Sequence, residues 1–279
     1  MLALSLLPPE TTNVALFLGV GTLSIVLVSM GKAGFGGGAG LLSIPLMILA
    51  CQGRTQLALG ILLPLLILND YVALAAWLRK WNWRPVLLLL PGMVLGTAMG
   101  WAALWGFQQL DVTGTESPKR YADAAMMLGV GLIAVGFVAL QAVRASRAEP
   151  LAFRPVLWQG VTVGAAAGFT STLAHAAGPM IQMYMLPQRM PKGRFVATTL
   201  LYFWIGNQLK LAPYAMLGML NVGSLGGAAC FLPAVLVGTF LGLHLHHRVS
   251  DRYFTVIVHL LVLASGVAMV AKSLRTLFA

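Results

Sequence analysis

Acidic residues are scarce: seven Asp and Glu in 279 positions, against 18 Lys and Arg. Charged residues make up 9% of the chain. A soluble globular domain carries roughly 25%. Hydrophobic residues reach 59%, and mean hydropathy is +0.86. A soluble chain of this size cannot hide so much apolar surface, because its outer shell must be wet. The soluble and disordered classes are excluded. So is a soluble nucleic-acid-binding domain, in spite of a net charge of +11. Two cysteines, Cys51 and Cys230, make neither a disulfide framework nor a metal-ligand set, and read as small apolar fillers. No Gly-Lys-Ser/Thr nucleotide loop is present, so the chain itself hydrolyses no nucleotide. No cofactor or metal is expected; His244, His246 and His247 lack a partner ligand nearby. Residues 1–13 hold no Lys or Arg and no small-residue cleavage site, so they are not read as a signal peptide.

What the chain does have is long apolar runs, as at Ile61–Leu78 and Val256–Val270. A transmembrane β-barrel shows shorter alternating segments instead. The expected class is an all-α polytopic membrane protein. Ten apolar segments are expected, at 14–32, 38–51, 55–79, 85–106, 121–144, 155–173, 176–187, 194–214, 222–244 and 253–274. All but 38–51 and 176–187 are long enough to cross at 1.5 Å per residue. Those two follow small-residue breaks, contain Pro45 and Pro179, and either re-enter the membrane or cross strongly bent. Basic loops set orientation. Arg79, Lys80, Arg84, Arg144, Arg147, Arg154, Arg189, Lys192, Arg194, Arg248 and Arg252 fall on one face, and Arg54, Lys119, Arg120, Lys272 and Arg275 on the other. The richer face is expected in the cytoplasm of a bacterial cell, with both termini outside and the protein in the inner membrane.

The two halves resemble each other. Gly34-Phe35 matches Gly168-Phe169, and Pro45 matches Pro179, at an offset of 134. Asn69-Asp70 matches Asn207-Gln208 at 138, and the run Pro91–Gly100 matches Pro233–Gly242 at 142. Matches in one order at slowly rising offsets point to a duplication. The expected repeats are 14–144 and 155–274, joined by a cytoplasmic linker at 145–154. Each carries five segments, so the second enters the membrane inverted. Inverted repeats with broken helices are an architecture of secondary transporters, with substrate near the midplane where the breaks meet. Duplication for packing alone is the plainer alternative.

The breaks hold the candidate residues. The first contains Lys32, Gly34, Gly36, Gly37 and Gly38. Glycine favours unwinding, and the helix that resumes presents free N–H groups to an anion. Close packing through small residues is the other reading, and Lys32 either adds charge to the site or snorkels to the interface. The second break contains Thr170, Ser171, Thr172 and His175. The hydroxyls either donate to an oxyanion or rebond freed carbonyls. His175 either donates to substrate and carries a proton, or sits neutral against a backbone carbonyl. Gln182 and Tyr184 follow on the short segment, within reach of the same cavity. Asp70 is the one acid deep in an apolar run. Such a residue is a functional candidate by default. It serves either proton coupling or a pair with a lysine across the bundle, Lys210 being a plausible partner. Asn69 and Asn207, at aligned positions, either bind substrate or join helices. His259, alone in an apolar span, reads as structural.

With Gly34–Gly38, Pro45, the echo at Gly168-Phe169 and Gly178-Pro179, Arg194-x-x-Ala197-Thr198 and Asn207-x-x-Lys210, the chain resembles the sulfite exporter TauE/SafE family, also called toluene-sulfonate uptake permeases. The resemblance runs from about 14 to 270. It implies transport of a small anion such as sulfite, a sulfonate or a short organic acid, with proton coupling. The chain departs from the family where Thr170-Ser171-Thr172 replaces a second glycine triplet, which bears on the particular substrate. A passive anion channel is the alternative reading. A serine hydrolase using Ser171 with His175 or His259 is a weaker one, because Ser171 is followed by Thr172 instead of glycine. Oligomeric state leaves no local signature.

Overall fold

The computed structural model describes residues 7–8, 11–37, 40–109, 155–185, 188–246, 248 and 251–278, with isolated helical positions between 124 and 143. Among these residues the chain is all helix, without strands. In order the helices are α1 Val14–Phe35, α2 Gly40–Ala50, α3 Thr55–Ala76, α4 Trp83–Gln109, α5 Leu157–Ala174, α6 Gly178–Met185, α7 Lys192–Leu209, α8 Leu211–Met216, α9 Val222–Ala229, α10 Leu232–Leu245 and α11 Asp251–Phe278. Most of the expected segment 121–144 and the linker 145–154 lie outside the described residues. Three helices, α1, α3 and the Trp83–Gly106 part of α4, are long and apolar enough to cross a bilayer. The pair α9 and α10, bent by 51°, passes the same test together. Large apolar side chains face outward, Phe240 and Met216 at 70% exposure each, as a lipid-facing surface requires.

Local chemistry sets the helix ends. The Asn13 side chain accepts from Leu16 N at 2.9 Å and caps α1. At its other end Gly36 adopts φ +68° and closes back on the Gly31 carbonyl, a left-handed cap that glycine takes without strain. Asn221 and Ser224 form a reciprocal capping box at the start of α9. Two expected continuous segments are broken. The run 194–214 stops at Leu209 and restarts at Leu211, and 222–244 stops at Ala229 and restarts at Leu232. Pro213 and Pro233 stand in the first turn of the restarted helices. Each lacks the N–H that the carbonyl four residues earlier, Leu209 or Ala229, requires, and its ring crowds that carbonyl.

Two helix pairs pack backbone to backbone through glycine. A β-carbon added at Gly92 or Gly96 of α4 would stand 2.0 Å from the Val161 or Ala165 carbonyl oxygen of α5. At Gly164 and Gly168 of α5 it would meet the Leu89 and Met93 carbonyls at 2.2 and 2.6 Å. The pair α1 and α10 repeats this: Gly238 and Gly242 face the Val26 and Met30 carbonyls at 2.6 and 2.4 Å, and Gly34 faces the Gly242 carbonyl at 2.3 Å. Small residues are what allows helix axes to come this close where lipid supplies no hydrophobic drive.

Candidate functional site

The two breaks touch. The first runs from Gly36 to the start of α2 at Gly40, and the second is His175–Ala177 between α5 and α6. A β-carbon at Gly178 would lie 2.5 Å from the Gly37 carbonyl oxygen. Gln182 of α6 directs its amide at the Phe35 and Gly36 carbonyls, 3.4 Å from each. Between the breaks lies a small, partly open cavity lined by Val28, Lys32, Gly37, Ser43, Leu66, Ser171, His175, Gly178, Phe203, Asn207 and Lys210.

Charge in this cavity is organised in two groups. Lys32, on the last turn of α1, forms an ion pair with Asp70 of α3; both are buried. Asn207 Nδ2 donates to the other Asp70 oxygen at 2.6 Å, and the Lys32 ammonium stands 5.0 Å above the Phe203 ring. Burying two charges is costly, and only direct pairing plus hydrogen bonds to the remaining oxygens offsets it. Asp70 thus pairs with Lys32 of its own half, and the Lys210 contact that the sequence suggested is not the one formed.

Lys210 sits at the break between α7 and α8, 1% exposed. Its Nζ lies 2.8 Å from His175 Nδ1 and donates to Ser171 Oγ at 3.1 Å and the Ser171 carbonyl at 3.4 Å. A hydrogen bond received at Nδ1 assigns the ring proton to Nε2, which donates to the Leu59 carbonyl at 3.2 Å. His175 is therefore a neutral imidazole with both nitrogens engaged. Its backbone has φ +46°, unusual for a residue with a side chain, and this turns the ring into the cavity as α5 ends. Tyr214 supports it, with ring centroids 5.7 Å apart and its hydroxyl donating to the Thr172 carbonyl at 2.7 Å.

Other expected site residues lie elsewhere. α5 continues as helix through Thr170, Ser171 and Thr172. Thr170 and Thr172 donate to the Ala166 and Gly168 carbonyls of their own helix, both at 2.8 Å, and only Ser171 lines the cavity. Gly34 is still in α1 and serves the contact with α10. Gly36 packs against Phe195, while Gly38 falls outside the described residues. Asn69 turns toward α10, with its Oδ1 2.7 Å from Thr239 Oγ. Tyr184 is buried in the cluster of α6 and α7. The side chain of His259 lies outside the described residues.

One cluster was not singled out from sequence. The last carbonyls of α1 are held from outside: Trp77 Nε1 donates to Ala33 O at 3.1 Å, and His246 Nδ1 is hydrogen bonded to Gly34 O. The two rings meet edge to face at 4.9 Å, and Lys192 Nζ donates to the His246 carbonyl at 2.8 Å. The available signal was indirect: a helix ending in glycines has no side chains of its own to cover its free carbonyls.

Apolar outward surfaces, helices of membrane-spanning length and a buried charged cavity at broken helices define a multi-pass helical membrane protein. Within that class the sequence assigns the family. The sequence model described as Sulfite exporter TauE/SafE matches residues 21–269, and the chain belongs to this family of anion transporters. Searches of curated proteins and of solved structures returned no match.

Proposed function

We propose that this chain is a secondary transporter that carries sulfite, a sulfonate or a short organic acid across the cytoplasmic membrane by alternating access, with a proton binding at Asp70. The observation that carries this reading is the cavity where the two helix breaks touch, lined by one paired and one carboxylate-free lysine. Lys210 is the anion-binding charge: it has polar but neutral acceptors, which an oxyanion replaces at little cost. Ser171 and His175 keep the ammonium in place while the site is empty. Asn207 and the Gly37 and Gly178 backbone complete the lining, and Gln182 holds the first break against α6. Lys32 and Asp70 form the coupling pair. A proton on Asp70 cancels the carboxylate and releases Lys32 toward the cavity, so a proton and a doubly charged anion such as sulfite reinforce each other's binding.

The repeats proposed at 14–144 and 155–274 supply the moving parts, with 145–154 between them on the cytoplasmic face and both termini outside. Matching glycine contacts support the duplication. Gly96 and Gly238 are equivalent at the offset of 142, Gly34 and Gly168 at 134, and all four pack on backbone carbonyls.

Proteoliposome flux tests the reading. Purified protein should move sulfite and methanesulfonate, and Lys210→Met should abolish both fluxes. Asp70→Asn should retain transport but lose its response to an imposed pH gradient with sulfite. Folded wild-type protein that moves no anion under any gradient would refute the reading. Flux far above carrier turnover with no counterflow would replace it with a channel.

A further inference from the structure

The cavity contains an odd number of charges, and their positions define the charge of its occupant. Asp70 is faced by Lys32 from α1 and by Asn207 from α7, with Lys210 at the end of α7. The neighbouring helices add little: α2 and α9 carry no titratable side chain, and α10 carries only His244 near its C-terminal end. Across the cavity His175 is neutral, because one ring nitrogen accepts from Lys210 and the other donates to Leu59. Lys210 Nζ has three polar neighbours, His175 Nδ1, the Ser171 hydroxyl and the Ser171 carbonyl, enough acceptors for the three N–H groups of an ammonium. Lys32 and Asp70 cancel. With Lys210 protonated, one positive charge is left without a carboxylate among the described residues.

We infer that the site accepts one net negative charge: a monoanion binds as it is, and a dianion binds only when a proton accompanies it on Asp70. This deepens the proposed transport function and rests on it for its substrate, but the charge rule is a property of binding and is read without flux. Its physical basis is the low dielectric of the cavity. A dianion placed beside one cation, with Asp70 ionised, leaves a buried negative charge uncompensated, and such a charge is expelled or neutralised by a proton. Protonation of Asp70 frees Lys32 and gives the dianion a second cation. Proton coupling is then set by the substrate: sulfite as the dianion carries a proton with it, and a sulfonate does not.

Sulfate and methanesulfonate test this as a matched pair. Both are tetrahedral at sulfur and differ by one oxygen replaced by methyl, and both keep a fixed charge around neutral pH. Equilibrium binding of each to the purified full-length protein is measured against pH. Methanesulfonate should bind wild type with no pH dependence. Sulfate should bind more tightly by about tenfold for each unit of pH decrease, the slope of one linked proton. Asp70→Asn leaves two cations, so sulfate should bind tightly with the pH slope gone. Lys32→Met leaves Asp70 opposing Lys210, so methanesulfonate should acquire the one-proton slope. The double variant Lys32→Met/Asp70→Asn removes a cancelling pair and should restore the wild-type, pH-independent binding of methanesulfonate; it keeps the test available if a single variant fails to fold. Sulfate binding to wild type without a pH slope would overturn the inference, as would a slope that survives Asp70→Asn. Binding that follows the charge rule without any flux would refute transport and leave the inference standing. Flux of both anions with equal, pH-independent affinity would do the reverse.

Discussion

The Lys32–Asp70 pair has a predicted energetic signature that separates it from two lysines independently awaiting an anion. Lys32→Met leaves the Asp70 carboxylate buried with the Asn207 amide as its direct donor. Asp70→Asn leaves the Lys32 ammonium buried against the Phe203 ring, 5.0 Å from its centroid. Removing one partner of a buried pair costs about 3–5 kcal/mol, because the other charge is left without compensation. Each remaining charge keeps one neighbour it already had, the Phe203 ring or the Asn207 amide, so both variants should fall within that range. The double variant buries no charge here and keeps an amide in place of the carboxylate to meet Asn207. Its cost should be no greater than that of either single change, which gives a coupling energy of at least about 3 kcal/mol. The assay is reversible unfolding in mixed detergent micelles, with all four proteins in an anion-poor buffer so that ligand binding does not mask the difference. Additive single effects would refute the pairing and return Lys32 to the role of a free anion ligand.

Three further outcomes follow from the packing. Gly96→Ala places a β-carbon 2.0 Å from the Ala165 carbonyl oxygen, against backbone that cannot step aside. Thermal unfolding should show a loss of about 1–3 kcal/mol, the usual cost of overpacking; Gly106→Ala, with nothing within 4 Å, should be neutral or stabilising. Trp77→Phe keeps the aromatic packing but orphans the buried Ala33 carbonyl, and should cost about 1–3 kcal/mol in the same measurement. In a background free of Cys51 and Cys230, single cysteines at Arg79 and Gly218 should react with an impermeant maleimide from opposite sides of the membrane. Labelling of both from one side would refute the proposed topology.

Much of the fold was legible because helix length and small-residue breaks leave strong local signals. Gly36 and Gly37 ended α1 where glycine enrichment placed the break, since only a left-handed turn lets the chain reverse there without strain. The breaks before α8 and α10 were also written in the chain, but one turn downstream of where they occur, as Pro213 and Pro233. The site was harder to read. Three hydroxyls in a row looked equivalent at 170–172, yet successive residues on a helix point about 100° apart, so one of them faces the cavity. For a pair with Asp70 across the bundle, the plausible partner in the sequence was Lys210. Lys32 forms the pair instead, because which cation reaches a carboxylate across a bundle depends on helix rotation and separation, which no local pattern encodes. His175 was visible as a candidate, but its neutral form follows from the Leu59 carbonyl, contributed by a helix more than a hundred residues earlier.

Under the proposed duplication, what repeats and what does not divides the molecule by task. The glycines that seat α4 on α5 and α1 on α10 occur in both proposed repeats, and each contact needs the same close backbone approach. The charges do not repeat. By the offsets of 134 and 138, Lys32 aligns with Ala166, Asp70 with Gln208 and Lys210 with Val72. A fully symmetric set would place twice the charge around one cavity, where like charges repel at low dielectric and a single small anion cannot neutralise them. Packing tolerates symmetry because each glycine contact is made within its own helix pair. An ion site between the repeats does not, because both copies would contribute to the same small volume. In the proposed site, charge in one copy only at each aligned position gives one cation pair-bonded, one cation open, and one carboxylate able to change the count by a proton.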